Sequence, residues 1–169
     1  DKNIVRKEYL LAVSDIYVQK NLHTLIEALV LIKEKVPNII LKIAGKAVDE
    51  GYLEKLHNVI DQFQVKGNVE FLGERDPSEL LVLYQECKLF VFPSTVETFG
   101  NPLVEAMACA TPIISSNSTA MPEILGDAGH YFNPLDVNDM ASGIIKLLKD
   151  DGLRVSLGKK ALRRSSLFS

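Results

Sequence analysis

Short apolar runs alternate with amphipathic segments along the whole chain. Apolar residues recur at helical spacing from Leu22 to Ile32, whereas Leu89 to Phe92 is an uninterrupted apolar run typical of a buried parallel strand. The pattern predicts strands at 9–13, 39–44, 69–73, 89–92, 111–115 and 131–132. It predicts helices at 22–32, 53–63, 76–84, 101–108, 121–125, 136–148 and 151–167. Residues 1–8 are charged and are predicted to be a linker from an upstream segment.

This alternation predicts an α/β fold, because each strand–helix–strand unit is a right-handed crossover between parallel strands. Six strands in this pattern favour a doubly wound, Rossmann-like parallel sheet with the strand order 3-2-1-4-5-6. The chain changes direction between strands 1 and 4, and such sheets bind ligands at that point, beyond the carboxyl ends of the strands. We expect the loop carrying Asp15 and Lys20 to meet the loop from Glu97 to Asn101 there.

Helix-start signals sharpen some of these predictions. Asp76 is predicted to cap the helix that follows it, with proline at the first helical position and Glu79 completing a capping box. Asn101 is predicted to cap the helix after the fourth strand, with Pro102 at its first position and Glu105 in its first turn. A polar loop that leads into a helix N-terminus offers free amides to an anion.

Composition and charge narrow the classes of function. The chain has 169 residues, which fits one domain, and its net charge of −3 does not suggest binding to nucleic acid. Its apolar runs are far shorter than the roughly 18 residues that predict a transmembrane helix. Cys87 and Cys109 are expected to be free thiols. The three histidines show no metal-ligand spacing, so no metal is expected.

Several familiar nucleotide and hydrolase motifs are missing. No G-x-G-x-x-G follows the first strand, and the third strand ends in Gly73 rather than in an acceptor aspartate. The chain has no G-x-S-x-G nucleophile elbow. Spacing alone leaves Glu97 and Glu105 open to interpretation, since solvated surface carboxylates would look the same.

A longer set of motifs resembles a known family. Glu97 and Glu105 are separated by seven residues that include Phe99-Gly100, and Ala106-Met107-Ala108 follows. This spacing, and the Lys20-Asn21 pair after the first strand, resemble the sequence signature of the family called glycosyl transferases group 1. Further matching segments are Phe71-Leu72-Gly73, Phe92-Pro93-Ser94 and Pro122-Glu123-Ile124. The resemblance implies one half of a GT-B architecture, with 1–169 as a single C-terminal domain that binds the sugar donor.

The resemblance also implies roles for individual residues. Glu97 corresponds to a catalytic carboxylate that accepts hydrogen bonds from the donor sugar, and Lys20 to the lysine that neutralises the diphosphate leaving group. Glu105 corresponds to the carboxylate that holds the ribose hydroxyls, and the backbone near Arg75 to the region that meets the nucleobase. Backbone amides expected to meet the sugar and the distal phosphate belong to Phe99, Gly100, Asn101 and Leu103.

Two positions depart from the family pattern. Ser14-Asp15 stands where the family usually has Gly-Arg. The second cation that would bind the diphosphate is therefore missing, and the donor site has the carboxylate of Asp15 at that position instead. Ala110 stands where the family usually has glycine, after the helix that carries Glu105. A left-handed backbone there costs an alanine about 1 kcal/mol.

The implied protein is a retaining hexosyltransferase that needs neither metal nor cofactor. Its donor is a nucleoside diphosphate sugar, and its acceptor is a growing glycan or a lipid-linked saccharide. We expect an N-terminal acceptor domain outside this chain, and no transfer by this chain alone. The expected location is the cytoplasm, with contact to the inner face of the membrane through the missing half left open. The alternatives are a stand-alone nucleotide-sugar-binding module and, less favoured, half of a nucleotide-sugar epimerase.

Overall fold

The computed structural model describes residues 5–168, which form six parallel strands with helices on both faces. The strands are β1 (Lys7–Val13), β2 (Ile40–Ala44), β3 (Val69–Gly73), β4 (Cys87–Phe92), β5 (Ile113–Ser116) and β6 (His130–Phe132). Their order is β3-β2-β1-β4-β5-β6, and every neighbouring pair is parallel. The doubly wound, Rossmann-like sheet predicted from the alternating pattern is therefore confirmed.

Seven α-helices cover the sheet within these residues. They are α1 (Leu22–Lys35), α2 (Glu50–Gln62), α3 (Pro77–Glu86), α4 (Asn101–Ala108), α5 (Met121–Leu125), α6 (Val137–Leu148) and α7 (Asp151–Ser165). Short 3₁₀ helices lie at Val18–Lys20, Lys66–Asn68 and Ser166–Phe168. In the part of the chain from 5 to 168, no helix is both long and apolar enough to cross a membrane.

The sheet is buried on both faces, which explains why its central strands read as continuous apolar runs. Along β1, Leu10 packs with α1, α2 and α6 on one face, and Leu11 packs with α3, α4, α5 and α7 on the other. Both side chains are fully buried. The helices therefore cover both faces of β1 and β4, and a ligand can reach these strands at their ends rather than at their faces.

An aspartate caps each of α3 and α6, and the cap predicted at Asp76 is confirmed. The Asp76 carboxylate accepts a hydrogen bond from the amide of Glu79, and the Glu79 carboxylate accepts one from the amide of Asp76, which completes the capping box. Asp136 caps α6 by accepting from the amide of Asp139 at 3.0 Å. The left-handed backbone expected at Ala110 is also present, with φ at 54°.

Several predicted boundaries were wrong. β1 begins at Lys7, inside the predicted linker, because Lys7 pairs with Cys87 at the start of β4. Residues 1–4 of that linker lie outside the described residues. α2 begins at Glu50, three residues before its first predicted apolar position. The last helix ends at Ser165 and continues as a 3₁₀ turn.

Candidate functional site

A cavity of about 320 Å³ opens at the carboxyl edge of the sheet, where the strand order predicted a ligand site. It is bounded by the loops after β1, β2 and β3 and by the first turn of α4. Five sequence-predicted residues line it: Asp15, Lys20, Arg75, Asn101 and Glu105. Glu97, Phe99, Gly100 and Leu103 are not among its lining residues. The fold thus brings the loops after β1 and β4 together, although they are far apart in sequence.

The Lys20 ammonium and the Glu97 carboxylate form an ion pair beside this cavity. Each side chain is only 13% exposed, so the pair is largely removed from water. The Lys20 ammonium also lies 5.2 Å from the centre of the Tyr17 ring. The two residues that the resemblance makes catalytic are therefore direct neighbours in the folded chain.

This pairing keeps Lys20 charged. Burial on its own would lower the pKa of Lys20, but the hydrogen bond to Glu97 and the charge of that carboxylate outweigh burial and raise the pKa above its ordinary value. A permanent cation at this position can neutralise a phosphate at any physiological pH.

Two hydroxyl groups fix Glu97 in place, and neither was identified from the sequence as part of the site. The Ser94 hydroxyl donates to the same Glu97 oxygen at 3.1 Å. The Glu97 amide donates to the Thr119 hydroxyl, also at 3.1 Å, which ties the loop to the segment after β5. Ser94 could have been suspected because it is a polar residue directly after a buried strand. The partnership with Thr119 depends on tertiary contact alone.

Helix α4 begins at Asn101, and its cap residue is Gly100 rather than Asn101. Gly100 adopts φ 84°, and a Cβ there would lie 3.3 Å from the Phe92 ring, so glycine suits both the conformation and the space. Pro102 consequently occupies the second helical position. The prediction of Asn101 as cap was wrong because the left-handed turn at glycine starts the helix one residue earlier.

The first turn of α4 presents backbone donors next to the cavity. Within residues 5–168, no hydrogen bond between backbone groups uses the amides of Phe99, Gly100 or Asn101. The Leu103 amide is already engaged, since it donates to the Gly100 carbonyl at 3.0 Å, and its side chain is fully buried. The Phe99 ring is 42% exposed and packs edge-to-face on Phe168, with the ring centroids 5.8 Å apart. Three of the four predicted amides therefore have no backbone acceptor, and of these residues Asn101 is the one that lines the cavity.

Glu105 stands on the exposed side of α4 and is oriented by a buried tyrosine. The Tyr84 hydroxyl donates to a Glu105 oxygen at 2.7 Å, while Tyr84 itself is only 2% exposed. Burial, followed by the bond to and charge of Glu105, raises the pKa of this phenol, which therefore remains a donor. The sequence placed Tyr84 only on the inner face of its helix, yet a buried tyrosine hydroxyl requires a partner.

The opposite wall of the cavity carries exposed charges. The Arg75 guanidinium pairs with Glu79 at 3.0 Å, and both side chains are more than a third exposed. Asp15 is exposed, and no ion pair in the described part of the chain includes it. Lys46 and Glu74 also line this wall and were not predicted.

The residue directly after β2 is a glycine that lets the loops after β1 and β2 pack closely beside the cavity. A Cβ on Gly45 would lie 1.7 Å from the Ser14 carbonyl oxygen, so any side chain would push the loop after β1 away from the loop after β2.

From residue 5 to residue 168, no three His, Cys, Asp or Glu side chains are grouped to hold a metal ion. The expectation of a metal-free reaction remains a prediction.

Comparison with known proteins gives a family match over almost the whole chain. The family described as glycosyl transferases group 1 matches residues 2–164. The serotype-specific mannosyltransferase WbdA of Escherichia coli is 33% identical over 170 residues, covering 100% of this chain. The chain spans only 21% of the length of WbdA.

Solved structures share the fold. HepE of Anabaena in complex with UDP-glucose superposes with a TM-score of 0.87 and 25% identity, covering 95% of this chain and 44% of HepE. The C-terminal domain of LpcC, a glycosyl transferase group 1 family protein from Francisella tularensis, gives a TM-score of 0.83 and 24% identity, covering 96% of this chain and 87% of that domain.

Proposed function

The chain belongs to the glycosyl transferases group 1 family, and from this premise we propose that it is the donor-binding domain of a retaining glycosyltransferase. The enzyme transfers a hexose from a nucleoside diphosphate sugar to an acceptor such as a growing glycan or a lipid-linked saccharide. The observation that carries the proposal is the buried Lys20–Glu97 pair beside the unengaged amides at the start of α4. HepE, with UDP-glucose bound, supports a nucleotide-sugar donor.

The cation and the helix start serve the leaving group. When the bond between the anomeric carbon and the diphosphate oxygen breaks, negative charge develops on the phosphate and positive charge on the sugar. The Lys20 ammonium and the Asn101 amide face the phosphate and stabilise that charge without having to move far. The acceptor hydroxyl forms the new bond to the anomeric carbon on the face that the leaving group occupied, and its proton passes to the departing diphosphate oxygen.

Glu97 serves the sugar. Its carboxylate accepts hydrogen bonds from donor-sugar hydroxyls, while Ser94 keeps one of its oxygens in place. Lys20 contacts Glu97 before the donor arrives, so the cation for the phosphate and the carboxylate for the sugar are side by side when the donor binds. Both groups are charged and held before binding, which reduces the reorganisation that the reaction requires.

Glu105 and the wall opposite it serve the nucleoside. Glu105 accepts from the ribose hydroxyls with the oxygen that Tyr84 leaves free. The backbone near Arg75 meets the nucleobase, and its side chain remains with Glu79. Asp15 belongs to the donor site but does not face the diphosphate. A carboxylate about 6 Å from a phosphate would be repelled by about 2–3 kcal/mol at an effective dielectric constant near 20.

The acceptor is assigned to a second domain. The chain covers 44% of HepE and 21% of WbdA, which supports our proposal that the whole protein includes an N-terminal acceptor domain. We propose that this chain alone transfers no sugar. We place the enzyme in the cytoplasm, in the synthesis of polysaccharide, with no metal or cofactor. The relative named as a mannosyltransferase makes a mannosyl donor the first to test.

Calorimetric titration of the chain with GDP-mannose, UDP-glucose and other nucleotide sugars tests this proposal. At least one donor is expected to bind, and Lys20→Met is expected to weaken it by about tenfold or more, the loss that accompanies a charge-assisted hydrogen bond. Lys159→Met, which removes an exposed lysine of α7, is the matched control and should bind as the parent does. A parent chain that binds none of the panel would contradict the proposal.

A further inference from the structure

A buried asparagine next to Lys20 connects three loops at the carboxyl edge of the sheet. Asn21 ends the 3₁₀ turn that carries Lys20 and precedes α1, with φ 59° and ψ 32°. Its side chain is among the few buried polar ones, at 1% exposure. Although Asn21 occupies the cap position of α1, its side chain makes no capping bond to that helix. The side chain of Asn21 therefore does not serve as a cap for the backbone amides of α1.

Every polar atom of that side chain has a partner in another segment or in α1. The Asn21 amide nitrogen donates to the Pro93 carbonyl at 3.0 Å and to the Pro134 carbonyl at 2.8 Å. Its oxygen accepts from the Thr24 hydroxyl at 2.6 Å. These partners fix the orientation of the Asn21 side-chain amide. If its oxygen and nitrogen were exchanged, the oxygen would face two carbonyl oxygens and would have no donor there. Asn21 thus joins its own loop to the loops after β4 and β6.

The two loops that meet at Asn21 are those that carry the ion pair. The Thr95 amide donates to the Gln19 carbonyl at 3.0 Å, one residue before Lys20 and two before Glu97. The bond from Asn21 to Pro93 lies on the other side of the same junction. Two backbone carbonyls, one from each loop, are therefore held across the junction at which Lys20 and Glu97 meet.

We propose that Asn21 is a positioning residue for donor binding: its side-chain amide clamps the Lys20 loop to the Glu97 loop and anchors both to the loop after β6 at Pro134. This inference rests on the proposed function, since the clamp matters only if Lys20 and Glu97 hold the two parts of one donor. It assigns the loop after β6, which contributes no residue to the cavity lining, a supporting role in the donor site.

A simpler role for Asn21 would be its left-handed backbone alone, because asparagine tolerates that conformation better than most residues. Glycine and aspartate also tolerate the left-handed backbone, so placing either at position 21 separates the role of the backbone from that of the Asn21 side-chain amide. Asn21→Gly keeps the backbone and removes the clamp. Asn21→Asp keeps the shape but replaces both donors by a carboxylate that faces two carbonyl oxygens. If only the backbone conformation mattered, both variants would behave as the parent does.

Two measurements on the 169-residue chain test the clamp. The first is amide hydrogen exchange of Thr95 without ligand, where both variants should lose about tenfold protection, because its bond to Gln19 closes the junction. The second is calorimetry with UDP and GDP in parallel, where both variants should bind about five- to tenfold more weakly, a loss of about the size that one net hydrogen bond contributes. Ile60→Val on α2 is the control for general destabilisation, since it trims a core side chain away from the loops.

The outcomes separate this proposal from the proposed function. A parent that binds neither nucleotide overturns the proposed function and the role of the clamp with it. A parent that binds, together with Asn21→Gly and Asn21→Asp chains that bind equally well and protect Thr95 equally, overturns the clamp alone. Ile60→Val matching the losses of the Asn21 variants would also overturn the clamp, because the effect would then be global. Losses confined to the Asn21 variants support it.

Discussion

The two sides of the cavity are built differently. On one side is the group that we call the reaction corner: Lys20 lines the cavity, and Glu97, which is not among the lining residues, binds both Lys20 and Ser94. These three side chains are mostly shielded from water. On the other, which we call the nucleotide wall, Asp15 and Arg75 are exposed, and Arg75 pairs only with a residue on its own side. A surface ion pair of this kind contributes little to stability, whereas a buried one is costly to break.

This difference indicates where the domain is rigid before any ligand binds. The reaction corner is held by hydrogen bonds from three loops, including those of Thr119 and Asn21. The nucleotide wall has side chains free to adapt to a ligand. We infer that the geometry for bond cleavage is built into the fold, and that the choice of nucleobase depends on exposed groups.

The largest effect should come from unbalancing the reaction corner. Lys20→Met leaves the Glu97 carboxylate without its cation at a position that is only 13% exposed, and should cost about 2–4 kcal/mol of the free energy of unfolding. Adding Glu97→Gln should recover most of that loss, because both charges are then gone. Urea unfolding of the parent, the Lys20→Met variant and the double variant with Glu97→Gln measures these free energies of unfolding. Equal stability of the single and double variants would show that the pair is not desolvated.

The next effect concerns the residue between the two sides. Glu105→Ala should weaken nucleoside diphosphate binding by about 1–3 kcal/mol, the range for a charged hydrogen-bonding partner left unmet. Tyr84→Phe removes only the group that orients Glu105 and should cost about 1 kcal/mol or less. Calorimetry measures both, with the exposed Glu54→Ala on α2 as the control. Equal affinity of Glu105→Ala and parent would rule out the ribose role.

How far the sequence could predict these regions depends on the range of the contacts involved. The strand order, the Asp76 capping box and the loops of the site follow from local patterns, and the structure has all of them. The pairing of Lys20 with Glu97 joins positions 77 apart, and no local signal indicates it. The role of Asn21 is hidden for the same reason, because its residue type suits a simple left-handed turn equally well.

The nucleotide wall gives a smaller effect that depends on salt. Lys20 pairs with Glu97 rather than with Asp15, and no ion pair among residues 5–168 includes Asp15. Asp15→Arg should tighten nucleoside diphosphate binding by about 1 kcal/mol, and high salt should reduce the gain. If Asp15 instead contacts a sugar hydroxyl, the diphosphate will bind unchanged and the nucleotide sugar more weakly.

Calorimetry of both ligands at low and high salt distinguishes these cases. Asp61→Arg makes the same charge change at an exposed position on α2 and should leave both affinities unaltered. Looser diphosphate binding in Asp15→Arg would mean that the loop after β1 does not lie beside the phosphates.

Removing the Arg75 side chain should have the smallest effect. Its guanidinium is engaged with Glu79 on the surface, and only the backbone near it is assigned to the nucleobase. Arg75→Ala should therefore change nucleotide affinity and stability by less than about 0.5 kcal/mol each. Calorimetry and urea unfolding on the same preparation measure both. A tenfold loss of nucleotide affinity would place the guanidinium itself on the ligand.

The most direct test of the reaction corner is one calorimetric comparison of three chains with two ligands. The parent, Lys20→Met and Glu97→Gln are titrated with the nucleotide sugar that the parent binds and with the matching nucleoside diphosphate. We predict that Lys20→Met weakens both ligands, whereas Glu97→Gln weakens the nucleotide sugar and leaves the bare diphosphate within about twofold, because only the sugar reaches the carboxylate. Equal losses for both ligands in Glu97→Gln, or an unchanged diphosphate affinity in Lys20→Met, would contradict the division of roles between the two residues.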